Sequence, residues 1–148
     1  MKIEIKIKKL RDNAVIPQYA TEGSAAADLR AAIAEPVTIM PDQRAAIPTG
    51  LAVSPERSDT AALIFGRSGL GTKYGVTLAN GVGVIDSDYR GELHVALINR
   101  GGAPYTVNPG DRIAQIMFVP VYAAEFVETD FLDETARGGG GFGSTGNV

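Results

Sequence analysis

The sequence predicts an all-β domain, a sandwich or barrel-like roll with at most one short helix. Three observations lead there: apolar residues recur with a period of two, the apolar runs are short, and Gly, Pro, Asn and Asp separate them at close intervals. The first strand is read where Ile3, Ile5 and Ile7 alternate with Glu4, Lys6 and Lys8. Short runs at 36–40, 44–47, 51–53 and 61–65 follow, each closed by turn residues. Leu93, Val95 and Leu97 then alternate with His94, Ala96 and Ile98, and further runs lie at 113–119 and 123–127. Many short strands at such spacing roll up or stack so as to protect their edges. Helical order is scarce. The stretch after Ser68 has room for one short turn, and the Ala-rich stretch 25–34 has little amphipathic order.

Composition sets the bounds on this fold. Gly and Pro number eighteen and eight in 148 residues, below the quarter or more expected of a disordered low-complexity chain. Six of the glycines lie in 137–148, so the excess is local to the C-terminus. One domain is the natural count at this length. The division expected is a β body over 1–127 and an arm over 128–148, because five acids and no base lie between Tyr122 and Ala136 and a Gly-rich tail follows. A modest core without Trp, several strand edges and an arm that cannot pack on itself make an oligomer the expectation.

Seventeen acidic against fourteen basic residues give a net charge of −3, which argues against bulk attraction to nucleic acid or anionic membrane. Charge-free stretches reach twelve residues, short of the roughly 20 apolar residues a membrane-spanning helix needs. With no apolar leader at the N-terminus, a cytoplasmic location is expected. The chain has no Cys and one His, which removes thiol nucleophiles, thiolate metal sites, His-rich zinc clusters and most serine-hydrolase triads. Chemistry is left to carboxylates, hydroxyls, amides, Arg and an oxygen-bound metal.

Five segments carry such groups. Asp28 follows three alanines, and reads either as a buried acid paired with an Arg or as an outer-shell position around Mg²⁺. Gly66 and Gly71 have the spacing of phosphate-loop glycines, but the ending Thr72-Lys73 is reversed and no βαβ pattern surrounds it. Arg67 and Ser68 still offer a bidentate fork and a hydroxyl between glycines, against the plainer reading of a polar turn. The segment from Asn80 to Glu92 is the densest, with an amide, a phenol and three carboxylates on one expected hairpin. Paired Asp residues often only form turns. Asp86, however, follows Val84-Ile85, so partial desolvation suited to a general base is expected there. Gln115 interrupts an apolar run as either a satisfied core amide or a substrate contact, and His94 reads as structural. In the tail, Arg137, Phe142 and Ser144 place a fork, a ring and a hydroxyl on a backbone free to wrap phosphates; the alternative is a merely flexible terminus.

In this order AAADLRA, GRSGLGTKYG, NGVGVIDSDYRGE, GDRIAQ and RGGGGFGSTG resemble the five motifs of the trimeric deoxyuridine triphosphatase (dUTPase) family. Each is weak alone, but jointly they span Ser24 to Gly146. Gly66 stands where many members have Pro, and no chemical position departs from the pattern. The resemblance implies a distorted jelly-roll, β-clip-like subunit with an extended C-terminal arm, assembled as a homotrimer with active sites at subunit interfaces. The implied reaction converts dUTP and water to dUMP and pyrophosphate, limiting uracil in DNA and supplying dUMP for dTMP synthesis. Carried over by motif, Asp86 would activate the water. Asn80 and the Gly83, Val84 and Ile85 strand would read uracil, and Tyr89 would pack on deoxyribose and refuse a 2′-hydroxyl. Arg67, Ser68, Gly69 and Gln115 would hold the phosphates. Arg137, Phe142, Gly143 and Ser144 would form a lid, and Asp28 would act through water on Mg²⁺ bound to the triphosphate. The rivals are a metal-independent dCTP deaminase of the same fold and a non-catalytic nucleotide- or protein-binding trimer.

Overall fold

The computed structural model describes residues 2–141. In chain order the strands are β1 (Ile5–Lys9), β2 (Ala27–Arg30), β3 (Val37–Ile39), β4 (Arg44–Pro48), β5 (Leu51–Pro55) and β6 (Thr60–Gly66). A single helix among the described residues, α1 (Ser68–Tyr74), precedes β7 (Val76–Leu78), β8 (Gly83–Ile85), β9 (His94–Asn99), β10 (Tyr105–Val107) and β11 (Arg112–Pro120). The all-β class and the short turn of helix after Ser68 are as the sequence predicts.

All ladders are antiparallel, in the orders β1-β5, β10-β3, β2-β11-β6-β8 and β4-β9-β7. β1 shows how a period of two becomes a layer. Ile5 and Ile7 turn toward the body while Lys6 and Lys8 stay in solvent. The core joins these sheets through fully buried Leu29, Ile47, Leu51, Val95, Leu97 and Ile113. Its one fully buried amide, Asn99, is satisfied on every side. The Nδ2 group donates to the carbonyls of Ile39 and Ala103, and Oδ1 accepts from Gly101 N. That closes the end of β9 onto β3, as a buried polar group requires.

β11 is the axis of the functional sheet. Its nine residues pair with β2 on one side and β6 on the other, with a bulge between Arg112 and Ala114. The helix that follows β6 stops at Gly75, whose left-handed φ of 71° lets its N–H return to Gly71 O. A Cβ at Gly75 would lie 2.5 Å from Gly101 N, so close approach of two chains, as well as φ, requires glycine there.

Three strands escape the periodicity argument: β2, β7 and β10 have three or four residues, too few to display a period. One expected strand is not formed. Residues 123–127 join no ladder and are exposed, although the run is apolar enough. Val121 N donates to Asp59 O as the chain leaves β11, and beyond that point the chain pairs with no strand among the described residues. A strand without a partner edge does not hold.

Candidate functional site

The first cluster of chemical groups is built on three neighbouring strands. Arg67 follows β6 as the N-cap of α1, in extended conformation, with the N–H groups of Leu70 and Gly71 returning to its carbonyl. Its side chain turns to β2, where Nε donates to Asp28 Oδ1 at 3.1 Å. Arg112, at the start of β11, donates from Nη1 to the other oxygen, also at 3.1 Å. Arg67 Nη1 further reaches the Arg112 carbonyl at 3.3 Å. The Asp28 side chain is 13% exposed, so a largely covered carboxylate holds two guanidinium groups side by side. Asp28 is thus paired with two arginines rather than one.

Gln115 lies opposite Asp28 in the β2–β11 ladder and is half-buried. Ser68 and Gly69 are exposed on the first turn of α1, where N–H groups lack intrahelical acceptors. Two arginines and one aspartate leave one positive charge in excess, beside a hydroxyl, an amide and free N–H groups. This is a set of donors for phosphate oxygens. Arg112 belongs to the cluster although sequence reasoning passed it over. It reads as a turn residue until the ladder brings β11 beside Asp28.

The second cluster is the segment from Asn80 to Glu92. β8 pairs with β6 and forms the edge of its sheet, leaving backbone N–H and C=O groups unpaired on its open side. Gly83 packs over Ile64, where a Cβ would approach Ile64 Cβ to 3.1 Å and Asn80 Nδ2 to 3.8 Å. Asn80 is exposed, Val84 is 64% exposed and Ile85 is half-buried. Asp86 follows at the strand end, exposed and without a side-chain hydrogen bond among the described residues. The expected hairpin is not formed, since β8 pairs with β6 and β9 belongs to another sheet; among the described residues Val84 and Asp86 are exposed, so the desolvation expected from Val84-Ile85 is absent there.

Tyr89 folds back so that its hydroxyl donates to Glu92 O at 3.1 Å. The Glu92 carboxylate accepts from Arg11 at 2.6 and 3.0 Å and from Gly50 N at 2.9 Å. Its pKa is held below the ordinary carboxylate value, foremost by the Arg11 hydrogen bonds. A cleft of about 250 Å³ lies between these groups, bordered by Val84, Asp86, Tyr89, Glu92 and His94. Among the described residues the His94 ring meets Glu92, through Nδ1 to its carbonyl and Nε2 at 3.7 Å from its carboxylate.

The two clusters do not meet within one chain. In the β6–β8 register Gly83 faces Ile64 and Ile85 faces Ala62, so the strand carries Asp86 toward Ala61. Arg67 follows the other end of β6. Six residues of extended chain separate these levels, about 20 Å at ~3.3 Å per residue. Arg137 stands apart from both, exposed, with Nε on Gly140 O at 2.9 Å. Phe142, Gly143 and Ser144 lie outside the described residues.

No group of three or more His, Cys, Asp or Glu side chains is arranged to hold a metal ion among the described residues. No helix among them is long and apolar enough to cross a membrane.

The dUTPase family model matches residues 12–146. A deoxyuridine 5′-triphosphate nucleotidohydrolase of Desulfitobacterium hafniense is 55% identical over 146 residues, covering 97% of each chain. One from Coxiella burnetii is 51% identical over 146 residues, covering 97% of this chain and 96% of the relative. Among solved structures, a Staphylococcus bacteriophage 80alpha dUTPase with dUPNHPP superimposes with a TM-score of 0.87 at 26% identity, over 97% of this chain and 98% of that one. The jelly-roll-like fold is shared with that structure.

Proposed function

This chain belongs to the dUTPase family, and from that premise we propose how its residues hydrolyse dUTP to dUMP and pyrophosphate. The observation that carries the reading is the Asp86 carboxylate, exposed and free of side-chain partners among the described residues, at the end of an edge strand. The open backbone of β8, with Asn80 beside it, offers donors and acceptors at fixed positions for the uracil edge. Gly83 leaves a slot that refuses an added methyl group, and the donor–acceptor order refuses cytosine. Deoxyribose packs on Tyr89, which excludes a 2′-hydroxyl. Asp86 orients a water in line with the α-phosphorus and takes its proton as the new P–O bond forms. The bond to the bridging oxygen breaks, and pyrophosphate leaves with that electron pair.

Phosphoryl transfer asks mainly for positioning and charge neutralisation. Arg67, Ser68, Gly69 and Gln115 supply both, with Arg67 held in place by Asp28. Both Asp28 oxygens already accept from arginines, so this side chain suits an outer-shell contact through water better than direct ligation. Asp28 would hold Mg²⁺ through water when the ion is bound together with the triphosphate, and the ion would supply neutralisation of phosphate charge. Arg137, Phe142, Gly143 and Ser144 close over the bound nucleotide as a lid.

The separation of about 20 Å between Asp86 and Arg67 along β6 is too great for one triphosphate to bridge within a chain. The site therefore takes Asp86 from one copy and Arg67 from another, in a homotrimer with three such interfaces. The arm supports this. Tyr122, Phe126, Phe131 and Leu132 are 86% exposed or more, apolar surface that a lone chain leaves in water and a neighbouring copy would cover. Removal of dUTP in the cytoplasm limits uracil in DNA, and the dUMP released feeds dTMP synthesis.

Purified protein with Mg²⁺ is expected to release pyrophosphate from dUTP at least about 10²-fold faster than from dTTP, dCTP or UTP at equal, subsaturating concentration. Ammonia release from dCTP would point to a deaminase, and binding without turnover to a non-catalytic trimer. Equal turnover of UTP would contradict the role given to Tyr89.

A further inference from the structure

We propose that Gly91 is a specificity-determining residue of this enzyme: its missing side chain lets the Tyr89 ring fold back over the loop between β8 and β9 and fixes the surface on which deoxyribose packs. The inference deepens the reading above and rests on Tyr89 as the group that refuses a 2′-hydroxyl. A Cβ at Gly91 would collide with the Tyr89 hydroxyl and lie 2.5 Å from Cζ and 2.9 Å from Cε2. The ring occupies the space that any other residue at 91 would fill. Its hydroxyl is then delivered to Glu92 O at 3.1 Å.

The acceptor does not drift with the ring. Glu92 is tied by its carboxylate to Arg11 and Gly50 N. Leu93, next along the chain, donates to Leu51 O at 2.8 Å and accepts from the Thr49 hydroxyl at 2.8 Å. A fixed carbonyl at one end and the open space over Gly91 in between define one position for the phenol. A ring displaced outward would leave the space beside the sugar open to a further hydroxyl.

Backbone conformation does not explain this glycine. Gly91 is absent from the residues with positive φ, so Ala is compatible with its backbone. The three atoms nearest a Cβ all belong to the far end of the Tyr89 side chain, which is 44% exposed. Substitution at 91 thus moves the ring and spares the fold, which separates position from stability.

The test compares kcat/KM for dUTP and UTP, alongside thermal unfolding, in the parent protein, Gly91→Ala, Gly91→Ser and Tyr89→Ala. Both Gly91 variants are expected to lower the dUTP/UTP ratio by about tenfold or more, with rejection of dTTP unchanged, because the methyl slot lies at Gly83. Their unfolding midpoints are expected to stay within about 2 °C of the parent. A ratio within about twofold of the parent in the folded Gly91 variants, while Tyr89→Ala loses discrimination, would overturn the inference and leave the Tyr89 reading standing. Discrimination retained in Tyr89→Ala would overturn that reading and the inference with it.

Discussion

Asp86→Asn is expected to lower kcat for dUTP by about 10²–10⁴-fold, with KM within about threefold of the parent, as measured by pyrophosphate release with Mg²⁺ present. The amide keeps the size of the carboxylate and loses the capacity to accept a proton from water. Binding depends on other groups, so the effect falls on turnover. Folding is not at risk, since Asp86 is exposed and makes no side-chain hydrogen bond among the described residues. Surface changes of that kind usually alter stability by about 0.5 kcal/mol or less. Near-normal turnover would place the base elsewhere.

Arg67→Ala is expected to lower kcat/KM for dUTP by about 10²–10³-fold, the usual scale for losing one preorganised donor from a site of developing charge. The loss is double. A guanidinium fork leaves the phosphates, and Asp28 is left with Arg112 alone, turning more negative charge toward them. Arg67→Lys restores the charge but not the fork and should recover only part of the rate. Full recovery with Lys would show that simple charge suffices.

The sequence was legible wherever local chemistry decides the outcome. β1 follows from alternating Ile and Lys, and α1 ends where Gly75 permits a left-handed turn. What was not legible depends on partners distant in sequence. The Asn80 to Glu92 segment does not form the expected hairpin: β8 pairs with β6, distant in sequence, and the chain beyond Asp86 passes to β9 in another sheet. Ala27–Arg30 becomes a strand because β11 lies beside it, and the alanines in and around it give no period to read. Arg112 joins Asp28 through that same ladder. Residues 123–127 have the composition of a strand but pair with no strand among the described residues. The distance between Asp86 and Arg67 is likewise a matter of register, invisible in motifs that stand close together in sequence.

That register makes the shared site open to a direct measurement. Asp86→Asn and Arg67→Ala chains, carrying different affinity tags and co-expressed, are purified through both tags and assayed for pyrophosphate release from dUTP. Each variant alone is nearly inactive. If Asp86 of one copy serves the phosphates held by Arg67 of the next, every mixed ring of three contains one intact site. The doubly tagged fraction should then show about a third of the parent rate per trimer. A rate no higher than the mean of the two variants alone would mean that each chain completes its own site, contradicting the separation drawn from β6 and β8.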